Sequence, residues 1–146
     1  MTIDRDVIES RLASLTQYLR ELETIQGLSF QEYLSDFKNR RTVERLLQLI
    51  IETACDINNH IVLKTNHKPP SDHHRSFTRL GELGILPQSL CRDLARSVGL
   101  RNRLVHEYEI VNDEIVFNTI PTALEQYRSY ILIIGEYLKS EEACSC

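Results

Sequence analysis

Four separate stretches of the chain space their apolar side chains so that only an α-helix puts them on one face. Ile8, Leu12, Leu15, Leu19 and Leu22 are 4, 3, 4 and 3 residues apart, and Leu124, Tyr127, Ile131, Ile134 and Leu138 are 3, 4, 3 and 4 apart. Between them, Val43, Leu46, Leu47, Ile50, Ala54, Ile57 and Ile61 follow the same period. So do Leu94, Val98, Arg101, Val105 and Tyr108, with an arginine in the middle of the stripe. Positions three and four apart stack along one helical face, so each stretch reads as an amphipathic helix that must bury its stripe against others. The predicted fold is all-α, an antiparallel bundle of four main helices plus short ones.

Punctuation residues set the expected boundaries. Gly27 closes the first helix or nearly so. A short helix is predicted around 30–37, and the second long one from near Asn39. Thr65–Pro70 reads as a loop from its prolines. Ser71 and Asp72 can cap a short helix holding Phe77 and Leu80, and Gly81 and Gly84 break its pattern. Pro87 and Pro121 each suit the first turn of a helix. Residues 110–117 read as a turn or a short extended excursion. One domain over 1–140 is expected, with a polar tail over 141–146.

Composition narrows the class. The chain has 146 residues, of which only 5 are glycine and 4 proline, which disfavours a turn-rich all-β fold. No apolar run approaches the roughly 20 residues of a membrane span, and the acidic start Met1–Asp6 lacks a secretory apolar core, so no membrane association and a cytoplasmic protein are expected. Cys55, Cys91, Cys144 and Cys146 form no CxxC pair, which points to two reduced core thiols and two tail thiols rather than a disulfide framework or a zinc knuckle.

Charge is unevenly spread around a net of −4. Residues 36–106 hold 12 basic and 7 acidic groups, against 3 and 6 before them and 2 and 8 after them. A basic centre between acidic ends can form a local anion-binding surface, though a solvated face of mixed charge has the same composition.

The segment Arg101-Asn102-Arg103-Leu104-Val105-His106-Glu107-Tyr108 carries the chemistry. An unpaired buried guanidinium is costly, so Arg101 should face a cleft, a partner chain or an anion. His106 can move a proton near neutral pH. Arg101 can hold a phosphate and stabilise charge in a phosphoryl transition state. Asn102 can hydrogen-bond a substrate or fix the imidazole. These are tools for metal-independent RNA cleavage, in which a ribose 2′-OH attacks the adjacent phosphate. One histidine supplies one proton-transfer group, and a symmetric dimer would supply two. Arg101 and His106 lie about 140° apart around an ideal helix, and the same spacing also suits a salt-bridged arginine beside a surface histidine.

The motif resembles the R-x4-6-H signature of HEPN domains, and more closely the R-x4-H-x-Y form of the HepT toxins. Val43–Glu52 with Asp56–Ile61 resembles that family's second helix, and Phe77–Leu86 its connecting segment. The resemblance covers roughly residues 5–138. It implies a dimerising helical bundle whose motifs meet at a cleft between protomers. It also implies a toxin of a type VII-like toxin–antitoxin pair, a metal-independent ribonuclease of mRNA or tRNA that needs no cofactor. Its implied antitoxin is an MNT-type nucleotidyltransferase. By position, Arg101 and His106 would be catalytic and Asn102 would assist. Tyr108 would be the tyrosine that the nucleotidyltransferase modifies with AMP. Bulk and negative charge two residues from the histidine would repel an RNA phosphate.

Several other residues are candidates for supporting parts. Asp56 and Glu52 can orient the motif from a facing helix, and each also suits a surface salt bridge. Arg45, Lys68, Arg75 and Arg79 can flank an RNA path or simply form a solvated face. Asp56 and His60 at i, i+4, with His67, His73 and His74, are the only candidates for a metal, and no further ligand has a suitable spacing. The competing functional reading is a non-catalytic helical module that binds a nucleotide or a partner segment.

Overall fold

The computed structural model describes residues 2–65, 68–106 and 111–144, and side chains from Arg5 to Glu142 within them. Among these described residues there are six helices: α1 Thr2–Glu23, α2 Phe30–Ser35, α3 Phe37–Lys64, α4 His73–Glu82, α5 Gln88–His106 and α6 Asp113–Cys144. The four long ones carry the four apolar stripes, and Ile8, Leu15, Leu47, Ile50, Leu94, Val98, Leu124 and Ile134 are all buried. Among the described residues no helix is long and apolar enough to cross a membrane.

Side-chain caps fix where the helices start. Ser29 and Glu32 form a reciprocal capping box on α2, with Glu32 N donating to Ser29 Oγ at 3.1 Å and Ser29 N to Glu32 Oε1 at 2.9 Å. Asp36 caps α3 through Lys38 N at 2.9 Å, and Asp72 caps α4 through Arg75 N at 2.8 Å. Each carboxylate takes up a backbone N–H that the first turn leaves unpaired.

The start of α6 corrects the sequence expectation. Pro121 does not open the last helix but lies inside it. Asn112 starts the helix instead, its Oδ1 accepting from Ile115 N at 3.1 Å and its carbonyl from Val116 N at 3.1 Å. Asp113 and Glu114 then sit in the first turn, where the helix dipole favours negative charge. Most of the 110–117 stretch is therefore helical, while Ile110 lies outside the described residues. The other end of α6 also runs further than expected, through residues 141–144, with Arg5 of α1 bonded to Leu138 O at 2.8 Å and to Glu142 at 3.1 Å.

Gly81 is a second correction, because it lies within α4 rather than ending it. A Cβ there would meet Cys91 Sγ at 2.8 Å, so glycine lets α4 and α5 approach closely. Gly84, at φ +74°, is the residue whose backbone turns the chain toward α5.

Cross-helix contacts give the directions. Arg11 of α1 reaches Asp56 of α3, Arg5 reaches the end of α6, and Tyr130 of α6 reaches Ala54 and Asn58 of α3. Helices α1 and α5 thus run opposite to α3 and α6. The centre is aromatic and hydrogen-bonded at once. Phe77, Tyr127 and Tyr130 pack edge to face at 6.1–6.5 Å. Tyr130 donates to Asn58 Oδ1 at 2.5 Å, and Asn58 Nδ2 donates to Ser76 Oγ at 3.1 Å. Cys55 and Cys91 are buried free thiols, and Cys55 is pushed up to about 12 by burial. The side chains of Cys144 and Cys146 lie outside the described residues.

Candidate active site

Arg101 points from α5 onto α3, where Glu52 meets it. Its Nε and Nη2 both donate to Glu52 Oε1, at 3.1 and 2.7 Å. Gln48, one turn earlier on α3, donates to the same oxygen at 3.2 Å. The side chains of Arg101 and Glu52 are 15% and 30% exposed, so this pair is largely withdrawn from solvent. It explains how an arginine occupies an apolar register, since the charge that enters the helix interface finds its counter-charge there. Burial alone would raise the Glu52 carboxyl. The hydrogen bonds from Arg101 and Gln48, with the charges of Arg101 and Arg45, outweigh it and hold Glu52 below the usual carboxylate range.

The remaining edge of the guanidinium faces outward. Nη1 donates to Asn102 Oδ1 at 3.2 Å, and Asn102 is exposed. His106 is the last residue of α5, exposed, and makes no hydrogen bond to another described residue. The last turns of α5 thus present a largely buried guanidinium whose Nη1 meets Asn102, together with an exposed amide and an exposed imidazole. Tyr108 lies outside the described residues, as do Glu107 and His67.

Asp56 is placed elsewhere on α3. Its Oδ2 accepts from Arg11 Nε of α1 at 2.7 Å and stands 3.8 Å from His60 Nε2. Its described partners are therefore on α1 and its own helix, and neither Arg101 nor His106 is among them. Among the described residues no three His, Cys, Asp or Glu side chains converge in a way that could hold a metal ion.

Gln48 and Arg11 were not singled out by sequence. Arg45, Gln48, Glu52 and Asp56 do fall 3, 4 and 4 apart on α3, a polar stripe opposite the apolar one, and that stripe is the signal that could have found Gln48. Nothing local marks Arg11, because its partner is 45 residues away.

Comparison with known proteins identifies the family. The family described as ribonuclease HepT-like matches residues 15–134. The tRNA nuclease HepT of Aphanizomenon flos-aquae (strain 2012/KM1/D3) is 41% identical over 136 residues, covering 93% of this chain and 92% of that protein. The mRNA nuclease HepT of Shewanella oneidensis is 30% identical over 129 residues, covering 88% and 96%. Among solved structures, a tri-AMPylated Shewanella oneidensis HEPN toxin in complex with its MNT antitoxin superposes with a TM-score of 0.83 at 29% identity, covering 90% of this chain and 98% of that one. With most of its length matched in sequence and in fold, the chain belongs to the ribonuclease HepT-like family.

Proposed function

We propose that the protein is a metal-independent ribonuclease acting as the toxin of a toxin–antitoxin pair, with the outer end of α5 as its reacting centre. The observation that carries this reading is the Arg101–Glu52 pair. It fixes a guanidinium by Nε and Nη2 and leaves Nη1 beside the exposed Asn102, one turn before His106 on the same helix.

The reaction follows from those groups. A ribose 2′-oxygen attacks the neighbouring phosphorus, and its proton passes to a base. Negative charge builds on the non-bridging oxygens of the pentavalent centre, where Arg101 donates through Nη1. The 5′-oxygen leaves with a proton from an acid. The products are a 2′,3′-cyclic phosphate and a 5′-hydroxyl. His106 of one chain serves as base or acid, and His106 of a second chain takes the other part across a two-fold cleft. Asn102 bonds the substrate beside Arg101. Glu52 is a positioning residue, since it holds the guanidinium rather than touching RNA.

Regulation follows from position. Tyr108 lies two residues beyond His106. An AMP group added there by an MNT-type nucleotidyltransferase brings negative charge and bulk within two residues of His106, which repels an RNA phosphate. The relatives' names support an RNA substrate, of tRNA or mRNA class. The solved toxin–antitoxin complex supports the antitoxin and AMP addition as its means of control. Activity in the cytoplasm fits such a substrate.

The test is cleavage of RNA in chelator by the native chain and by His106→Ala. Cyclic phosphate ends from the native chain alone are expected. Equal cleavage by both proteins would remove His106 from the reaction.

A further inference from the structure

A second cationic feature lies outside the reacting centre. The 68–71 segment lies alongside α4 and leads into it at Asp72, and the two line a cavity of about 330 Å³. Lys68, Arg75 and Arg79 line it, together with Ser71 and Glu82. Two prolines, Pro69 and Pro70, restrict the wall opposite α4.

The charges are unevenly spent. Glu82 is bonded to Arg79 Nη1 at 2.8 Å, and the Asp72 carboxylate is occupied by the backbone N–H of Arg75 at 2.8 Å. Lys68 and Arg75 have no carboxylate partner among the described residues, and both are exposed. Two full positive charges and half of a third therefore face one concave space in a chain whose net charge is −4. Such a concentration focuses a positive potential on a small area.

Its position along the fold relates it to Arg101. Cys55 Sγ lies 3.8 Å from His73 O, so the start of α4 stands one turn along α3 from Glu52, the partner of Arg101. Helix α5 runs antiparallel to α4, with Cys91 against Phe77 and Gln88 against Gly81. Residue 95 is then level with the start of α4, and Arg101 is roughly 9 Å further along the axis. The cavity follows α4 from Arg75 to Glu82, and its Arg75 end is the one nearer the level of Arg101.

We propose that this cavity is a binding site for the phosphate backbone of the RNA strand, in which Lys68, Arg75 and Arg79 neutralise phosphates beyond the one that reacts. Ser71 adds a hydroxyl donor, and a phosphate oxygen competes with Glu82 for Arg79. The site carries no base reading, since its donors are charges rather than a pattern matched to base edges. It rests on the ribonuclease reading above and adds the surface along which the substrate is held.

The experiment measures binding of a fluorescein-labelled single-stranded RNA at several salt concentrations. The full chain carries His106→Ala so that the RNA survives, with and without the added triple change Lys68→Ala, Arg75→Ala, Arg79→Ala. A second arm measures cleavage of a dinucleotide, too short to reach the cavity, by the triple variant with His106 restored. All three positions are on the surface, and an unchanged Tm verifies the fold. The site predicts an affinity loss on the order of tenfold or more and a fall in the salt slope of about 2, from roughly 0.7 for each of three phosphates. Dinucleotide cleavage stays at the native rate. Unchanged affinity and slope in a parent that binds RNA would overturn the site and leave the ribonuclease reading standing. A parent that neither binds nor cleaves RNA would overturn both. Intact RNA binding with lost capture of the antitoxin would assign the surface to an acidic protein partner instead. Titration with inorganic phosphate that finds a site without any change in RNA affinity would reduce it to a free-anion pocket.

Discussion

Arg101 on α5 gives two of its N–H groups to a single carboxylate oxygen of Glu52 on α3, at 3.1 and 2.7 Å. Both groups are therefore fixed from the side away from solvent. What remains for a substrate is the Nη1 edge, next to Asn102. A residue that holds an arginine in this way can set what that arginine does without itself contacting a substrate.

Glu52→Gln should separate holding from charge. The amide retains an acceptor oxygen but leaves the guanidinium without its counter-charge. A drop in kcat of roughly tenfold or more is expected, with KM nearly unchanged, because the loss is of orientation in the transition state. Stability should fall by about 1–3 kcal/mol, less than for a fully buried pair because Glu52 is partly exposed. Steady-state cleavage kinetics and urea unfolding check both.

The same pair sets a pH dependence. The folded-state pKa of Glu52 lies below its unfolded value. Its contribution to stability is therefore complete above the unfolded value and is lost as pH falls through the lower folded value. Unfolding from pH 7 down to pH 3 should show native protein losing stability in the acid range and Glu52→Gln losing less. Parallel curves for the two proteins would contradict this.

Arg101→Lys retains charge but cannot present two fixed N–H groups to Glu52 while aiming a third outward. Cleavage should fall by about 10²-fold or more, the scale for losing one oxyanion donor. A lysine variant with near-native kcat would show that charge alone suffices.

Tyr108→Phe should leave RNA cleavage at the native rate while abolishing AMP addition by the nucleotidyltransferase. Intact mass after incubation with the antitoxin and ATP reads the modification. An unchanged mass gain in the variant would place the acceptor at another residue.

The core makes its own prediction. Tyr130→Phe removes the donor to Asn58 Oδ1 and to Ala54 O at the centre of the bundle. A buried acceptor left unpaired costs about 1–3 kcal/mol, and each kcal/mol lowers Tm by roughly 2–4 °C in a domain of this size. Activity per folded molecule should be unaffected, because neither group reaches the end of α5.

The helices were legible because their cause is local: apolar residues recur at the helical period in Ile8–Leu22, Val43–Ile61 and Leu124–Leu138, and burial requires it. Arg101 stood out for the same reason, as a charge in an apolar stripe. Its partner was harder to assign. Glu52 and Asp56 were both eligible by spacing, and only the packing of α5 on α3 brings Glu52 to Arg101 and leaves Asp56 to Arg11. Pro121 misled because proline in a first turn is common, while the capping side chain of Asn112 lay nine residues earlier. Gly81 read as a breaker because its reason, the Cys91 sulfur against it, comes from another helix. Residues that answer to a neighbour distant in sequence are the ones a single sequence leaves open.

The most direct test is RNA cleavage in chelator, comparing the native chain with His106→Ala and analysing the ends of the products. His106 is exposed at the end of α5, so the variant should fold with an unchanged Tm. The account predicts cleavage by the native protein with 2′,3′-cyclic phosphate ends, and a rate at least about 10²-fold lower in the variant. Native-level cleavage by His106→Ala, or cleavage that stops when chelator is added, would contradict it.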